Sequence, residues 1–230
     1  MNTQRVQASF LYRNLANATS ILGVLPLVVL FLDDGYKYVL PLIIFNNIMD
    51  DLDGVLAAKL NIRSQFGADL DNVCDAVAHV ILTLVVGAHF GGLVMAAGAI
   101  AAGSILVRVV TRLNPGATTG TGSQTNELMR HMLFTLLLTA QFDFPAETVL
   151  IVMFLLHSVS MLVPFKMPAL LGNRLKGLAM AGIVNVALLA AWLLPPAAPL
   201  VAALFIGSYL YAFAAGAGLW RKRHGGVTGP

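Results

Sequence analysis

The stretch 50–75, DDLDGVLAAKLNIRSQFGADLDNVCD, gathers acidic residues inside an otherwise apolar chain. Asp50 and Asp53 are three residues apart, and Asp71 and Asp75 are four apart. On helices each pair therefore shares one face. Asp51 and Asp69 point elsewhere and are not given the same role. A carboxylate in the apolar layer of a membrane costs on the order of several kcal/mol unless something compensates it, and such residues usually mark function. Four converging carboxylates repel one another, and few bases lie nearby to offset them. A hard divalent cation suits the set, because Mg²⁺ takes oxygen ligands and keeps waters and substrate phosphates in its shell. Two other readings share the pattern. Acids cap helix ends, although a cap needs one acid per terminus rather than matched pairs. Clustered membrane carboxylates also serve divalent-cation transporters.

The glycines of the same stretch bear on the choice. Gly54 follows Asp53, and Gly67 precedes Asp71 by four residues. Small residues there let a flat ligand approach the backbone, and Ala57 keeps the same region open. Close packing of membrane helices uses small residues equally.

The elements that must carry these residues follow from hydropathy and breakers. Of 230 residues, 58% are hydrophobic and 11% charged, with a mean hydropathy of +0.81. Soluble domains carry about 25% charged residues, and the apolar runs here reach the roughly 20 residues that a spanning helix needs. The expected fold is an all-α polytopic membrane bundle of about eight transmembrane helices, at 16–33, 38–60, 67–90, 93–111, 124–141, 146–164, 177–195 and 198–219. An amphipathic segment at 4–14 precedes them, with Arg5 and Arg13 facing headgroups. Breakers separate the spans: DDGYK at 33–37, Gly91–Gly92, NPGATTGTGS at 114–123, FDFP at 142–145 and PPAAP at 195–199. One membrane domain is expected over 1–223, with a short tail at 224–230.

Charge placement orients the bundle. With the N-terminus inside, the inner loops and ends hold Arg5, Arg13, Lys59, Arg63, Arg112, Lys166, Arg174, Lys176, Arg221, Lys222 and Arg223. The outer loops hold Asp33, Asp34, Asp143 and Glu147, with Lys37 their only base. This positive-inside pattern puts both termini and the 59–66 loop in the cytoplasm. The net charge of +3 is explained by anchoring to anionic membrane lipids, so no nucleic-acid partner is expected. Nothing at the N-terminus marks a removable signal peptide. Cys74 is the single cysteine, which excludes an intrachain disulfide and a Cys-rich metal site.

In this stretch the chain resembles the CDP-alcohol phosphatidyltransferases, whose signature is D-x2-D-G-x2-A-R-x8-G-x3-D-x3-D. Asp50, Asp53, Gly54, Ala57, Gly67, Asp71 and Asp75 fall in register, including the eight-residue gap. RNLANATSILG also resembles the Asn-containing start of the family's first membrane helix. The resemblance implies transfer of a phosphatidyl group from CDP-diacylglycerol to a small polar alcohol, with release of CMP, in phospholipid biosynthesis. It implies Mg²⁺ or Mn²⁺ held by Asp50, Asp53 and Asp71, and Asp75 as the base on the acceptor hydroxyl, also touching a metal. Asn17, Gly54, Ala57 and Gly67 are the positions it assigns to the CDP-lipid, with Lys59 added as the nearest base. It implies a bacterial or archaeal cytoplasmic membrane with the active site facing the cytoplasm, and a homodimer. The spacing of Gly87 and Gly91 suits a partner helix in such a dimer.

One signature position departs. The family's Arg is Ala58, followed by Lys59, so a planar fork for phosphate is lost. Lys59 offers a point charge instead, rotated by roughly 100° around the helix.

The acceptor has four candidate ligands, Arg108, Arg112, Arg130 and Lys166, each of which also serves as a positive-inside anchor. SMLVPFKMPAL at 160–170 is similar to the late loop of phosphatidylserine synthases, which favours L-serine. Inositol phosphate, glycerol phosphate and choline remain alternatives. His79, one turn beyond Asp75, either bonds into the site or is a satisfied bundle residue. His131 is expected at the interface beside Arg130. The polar 118–127 stretch either orders over substrate or is a loop ending in a helix cap.

Overall fold

The computed structural model describes residue 12, residues 14–114, residue 116, and residues 120–168 and 178–224. The amphipathic segment expected at 4–14 lies almost wholly outside them. So do Arg5, Arg13, Arg174, Lys176 and all but the first residue of the 224–230 tail.

Among the described residues the chain forms eight α-helices and no strand. They are α1 Leu15–Val24, α2 Val39–Lys59, α3 Gln65–Phe90, α4 Gly92–Leu113, α5 Thr125–Phe142, α6 Ala146–Leu162, α7 Leu178–Leu193 and α8 Ala198–His224. Among the described residues, three stretches are long and apolar enough to cross a membrane: Gln65–Phe90, Gly92–Leu113 and Pro195–His224. Leu15–Phe31, Ala146–Leu162 and Leu178–Leu193 are shorter apolar helices. α2 is 21 residues long, but it carries the acidic cluster.

Local chemistry sets the breaks. The first span is not one α-helix: it tightens into a 3₁₀ stretch at Leu25–Phe31, with Pro26 in its first turn. Proline lacks the N–H for an i−4 bond, and its ring crowds the preceding carbonyl. Between α2 and α3 the chain turns through Asn61 at φ 55°, a left-handed conformation that asparagine tolerates. Ser64 then caps α3, its Oγ accepting from Gly67 N–H at 3.0 Å. α3 passes to α4 through Gly91 and Gly92, at φ 68° and 48°, a break that two glycines make without a Cβ penalty.

The core is continuous, with Phe134, Phe154, Leu82, Ile105, Leu128 and Ile43 fully buried. α3 packs along α4, and α4 along α6. Gly87 is buried where α3 meets α4, so close that an added Cβ would lie 3.3 Å from Met95 Cα. That glycine seats a helix of its own chain, and Gly91 belongs to the turn, so the pair does not form a face for a second copy. α1 packs on both α2 and α3, and each of these touches α1 more extensively than it touches the other. α5 lies across α2 and α3, and α7 against α2. The aspartate helices are thus held by flanking helices more than by their own hairpin.

Candidate active site

α2 and α3 meet at the 60–64 turn, and within about three turns of it their carboxylates converge. One oxygen from each of Asp50, Asp53 and Asp71 lies within 4.8 Å of the others. Asp53 is buried and the other two are half-buried. Asp75, one turn further along α3, is buried. It falls outside that group of three but reaches the Asp50 carboxyl. Among the described residues the one ion pair is Arg130 Nη1 to Glu127 Oε1, at 3.2 Å. Among the described residues, therefore, no side-chain cation forms an ion pair with the aspartates.

Neutral donors hold them instead. Ser20 Oγ of α1 donates to Asp53 Oδ2. Asn126 Nδ2, in the first turn of α5, donates to Asp50 Oδ2 at 2.6 Å. Each aspartate of the α2 pair thus has one oxygen engaged by a flanking helix. A carboxylate held this way is oriented without being neutralised, as in the outer shell of metal sites. Hard oxygen donors, convergent and without a basic partner, fit a divalent cation.

The two remaining acids separate as the spacing predicts. Asp69 accepts from Gln65 Nε2 at 2.8 Å on the surface. Asp51 turns to the other side of α2, where Asn185 Nδ2 of α7 donates to it at 2.7 Å and Asn47 Nδ2 at 3.3 Å. Asn47 Nδ2 also donates to Asn185 Oδ1 at 2.8 Å, and its own Oδ1 accepts from Arg130 Nε at 3.0 Å. This polar lattice joins α2, α5 and α7.

The small residues divide. Gly54 is exposed, and a Cβ there would meet nothing within 4 Å. Gly67 is pressed by α1, a Cβ lying 3.0 Å from Asn17 Oδ1 and 3.1 Å from Ser64 Oγ. Asn17 is half-buried, with Nδ2 donating to Asn14 Oδ1 at 3.0 Å. Ala57 is half-buried, and Ala58 and Lys59 are exposed at the end of α2. The open side of Gly54 and the closed side of Gly67 give the site one accessible wall.

The acceptor candidates also lie apart. Arg108 donates through Nε to Ser123 O at 3.0 Å, through Nη1 to Gly120 O, and through Nη2 to Gly122 O at 3.5 Å. Arg112 is exposed at the end of α4, with Asp71 as its electrostatic neighbour. Lys166 is exposed beyond α6. Arg130 engages Nε and Nη1, and it sits over the Phe205 ring with Cζ 5.9 Å from the centroid. Its Nη2 has no hydrogen-bond partner among the described residues.

His131 is not interfacial. It is buried, its Nδ1 lies 2.8 Å from His157 Nε2, and Tyr209 packs on both rings. His79 is buried, and its Nδ1 has no hydrogen-bond partner among the described residues. The polar 118–127 stretch, described from residue 120, is fastened: Gly120, Thr121 and Ser123 N–H groups donate to the carbonyls of Leu162, Val163 and Ser160. Sequence reasoning missed Ser20 and Asn126. Both are polar residues at helix positions close to an apolar run, a signal too common to single them out.

Three carboxylates thus converge near the joined ends of α2 and α3, with polar support from the flanking α1 and α5. The model of the CDP-alcohol phosphatidyltransferase family matches residues 13–220, and the chain belongs to that family. A comparison with curated proteins finds no match. The protein is accordingly a membrane transferase of phospholipid synthesis, moving a phosphatidyl group from a CDP-alcohol to an alcohol acceptor. Its relatives generally depend on a divalent metal.

Proposed function

We propose that this protein transfers the phosphatidyl group of CDP-diacylglycerol to L-serine, using Mg²⁺ or Mn²⁺ at Asp50, Asp53 and Asp71. The observation that carries the reading is the convergence of these three carboxylates, with no ion-pair partner among the described residues. When bound, the metal supplies charge compensation for the diphosphate. The serine hydroxyl oxygen forms a bond to the phosphorus that bears diacylglycerol, the bond from that phosphorus to the bridging oxygen breaks, and CMP leaves. Asp75, buried beside Asp50, takes the hydroxyl proton. Exposed Gly54 leaves room for the diphosphate to approach the α2 backbone, while Asn17, Ala57 and Gly67 line the α1 side. Lys59 stands in for the missing signature arginine.

Arg130 is the residue we assign to the serine carboxylate. It lies one turn deeper on α5 than Asn126, within electrostatic reach of His79, and its Nη2 has no hydrogen-bond partner among the described residues. Arg108 holds loop carbonyls instead, and Arg112 and Lys166 anchor the cytoplasmic face. The similarity of 160–170 to phosphatidylserine synthases supports serine over inositol phosphate, glycerol phosphate or choline. The whole of 1–223 acts as one domain with its site facing the cytoplasm of a bacterial or archaeal cell. A homodimer is part of this reading, through a face other than Gly87.

The test is purified protein with CDP-diacylglycerol and each acceptor, following CMP release and the mass of the lipid product. Serine is expected to give a new phospholipid in step with CMP. CMP without a new lipid indicates hydrolysis, a different acceptor giving product reassigns the head group, and ion flux without CMP supports transport.

A further inference from the structure

Asn126 touches Asp50 from a segment 76 residues away, so something must place its helix start. The described part of the α4–α5 connection does so. Residues 120–124 form a strap against the end of α6, where Gly120 N–H donates to Leu162 O at 3.3 Å, Thr121 N–H to Val163 O at 3.2 Å and Ser123 N–H to Ser160 O at 2.9 Å. These bonds satisfy carbonyls that a helix C-terminus leaves open. Gly122 is pressed so closely on Ser160 that a Cβ would overlap its carbonyl. Ser123 Oγ lies 2.8 Å from Ser160 Oγ, which also accepts from Tyr209 Oη at 2.6 Å. From the other side the Arg108 guanidinium gathers the carbonyls of Gly120, Gly122 and Ser123. α5 starts two residues beyond Ser123, and Asn126 is its second residue.

We propose that Asn126 is a positioning residue for the metal site, and that the strap fastened by Arg108 and the end of α6 sets its place. The inference rests on the metal reading above. Asn126 Nδ2 donates to Asp50 Oδ2, and this bond fixes the rotation of the Asp50 carboxylate that faces Asp53 and Asp71. Arg108 acts through three carbonyls, so its planar fork matters more than its charge.

Full-length protein in detergent is titrated with Mn²⁺, reading free ion by electron paramagnetic resonance, with circular dichroism melting as the check on fold. Asn126→Ala is expected to raise the Mn²⁺ dissociation constant about 10- to 100-fold, the usual effect of losing a ligand's outer hydrogen bond. Asn126→Gln, which keeps the amide, restores part of the affinity. Arg108→Lys weakens Mn²⁺ binding in the same sense with all aspartates intact, and stands in if Asn126→Ala does not fold. Unchanged affinity in a folded Asn126→Ala, or in Arg108→Lys, overturns the inference while leaving the metal reading in place. A wild type that takes up no Mn²⁺ removes the metal reading itself.

Discussion

Asp50, Asp53 and Asp71 face one another, Asp51 faces α7, and Asp69 faces the surface, so these five of the six acids in 50–75 have three different surroundings. Asp50→Asn, Asp53→Asn or Asp71→Asn is expected to remove most CMP release and to weaken Mn²⁺ uptake in the same titration. Asp69→Asn leaves both nearly intact, because its only described partner is Gln65. Comparable losses in all four folded variants would reject the trio. Asp51→Asn is also mild, for a different reason: an amide oxygen still accepts from Asn185 and Asn47. Asp51→Ala removes that acceptor and costs about 0.6–1.7 kcal/mol, the range found for hydrogen bonds between membrane helices; thermal unfolding of the two variants in one detergent reads the difference. Lys59→Ala is expected to raise the KM for CDP-diacylglycerol at saturating metal and serine, with the acceptor requirement unchanged. An unaltered KM would make Lys59 an interfacial anchor alone.

Helices, rather than loops, bring the site together, and their contacts explain which parts could be read from sequence. The two aspartate pairs were legible because three- and four-residue spacings fix a face whatever the helix packs against. The Gly91–Gly92 break was legible because glycine is the residue for positive φ. The bonds from Ser20 to Asp53 and from Asn126 to Asp50 span 33 and 76 residues. They depend on how α1 and α5 are rotated about their own axes, which periodicity within those helices does not encode. The same holds for Asn185, an amide in an apolar helix whose partner on α2 is 134 residues away. The 3₁₀ turn after Pro26 was readable in principle, since proline alone forbids the next α-helical bond. The contrast between Gly54 and Gly67 gives a prediction at this scale. Gly54→Ala meets no neighbour and exchanges glycine for the best helix former, gaining up to about 1 kcal/mol, yet it is expected to reduce use of the CDP-lipid. A more stable and fully active Gly54→Ala would show that no ligand approaches there.

As a whole the bundle gathers its converging carboxylates near the joined ends of α2 and α3. Single cysteines introduced at 61–66 and 165–168 are expected to label only from the cytoplasmic side, and those at 33–37 and 142–146 only from outside; external labelling at 61–66 would invert the site. Asp53 lies six residues from Lys59 along α2, or about 9 Å at the α-helical rise. α2 and α3 also touch each other less than each touches α1. On the proposed function, the donor meets the site by lateral diffusion, its acyl chains remaining among their neighbours while only the diphosphate enters between helices. The encounter is then two-dimensional. Turnover in mixed micelles should follow the donor's mole fraction rather than its bulk concentration, so that adding inert detergent at constant total CDP-diacylglycerol slows the reaction, whereas water-soluble serine obeys ordinary volume concentration.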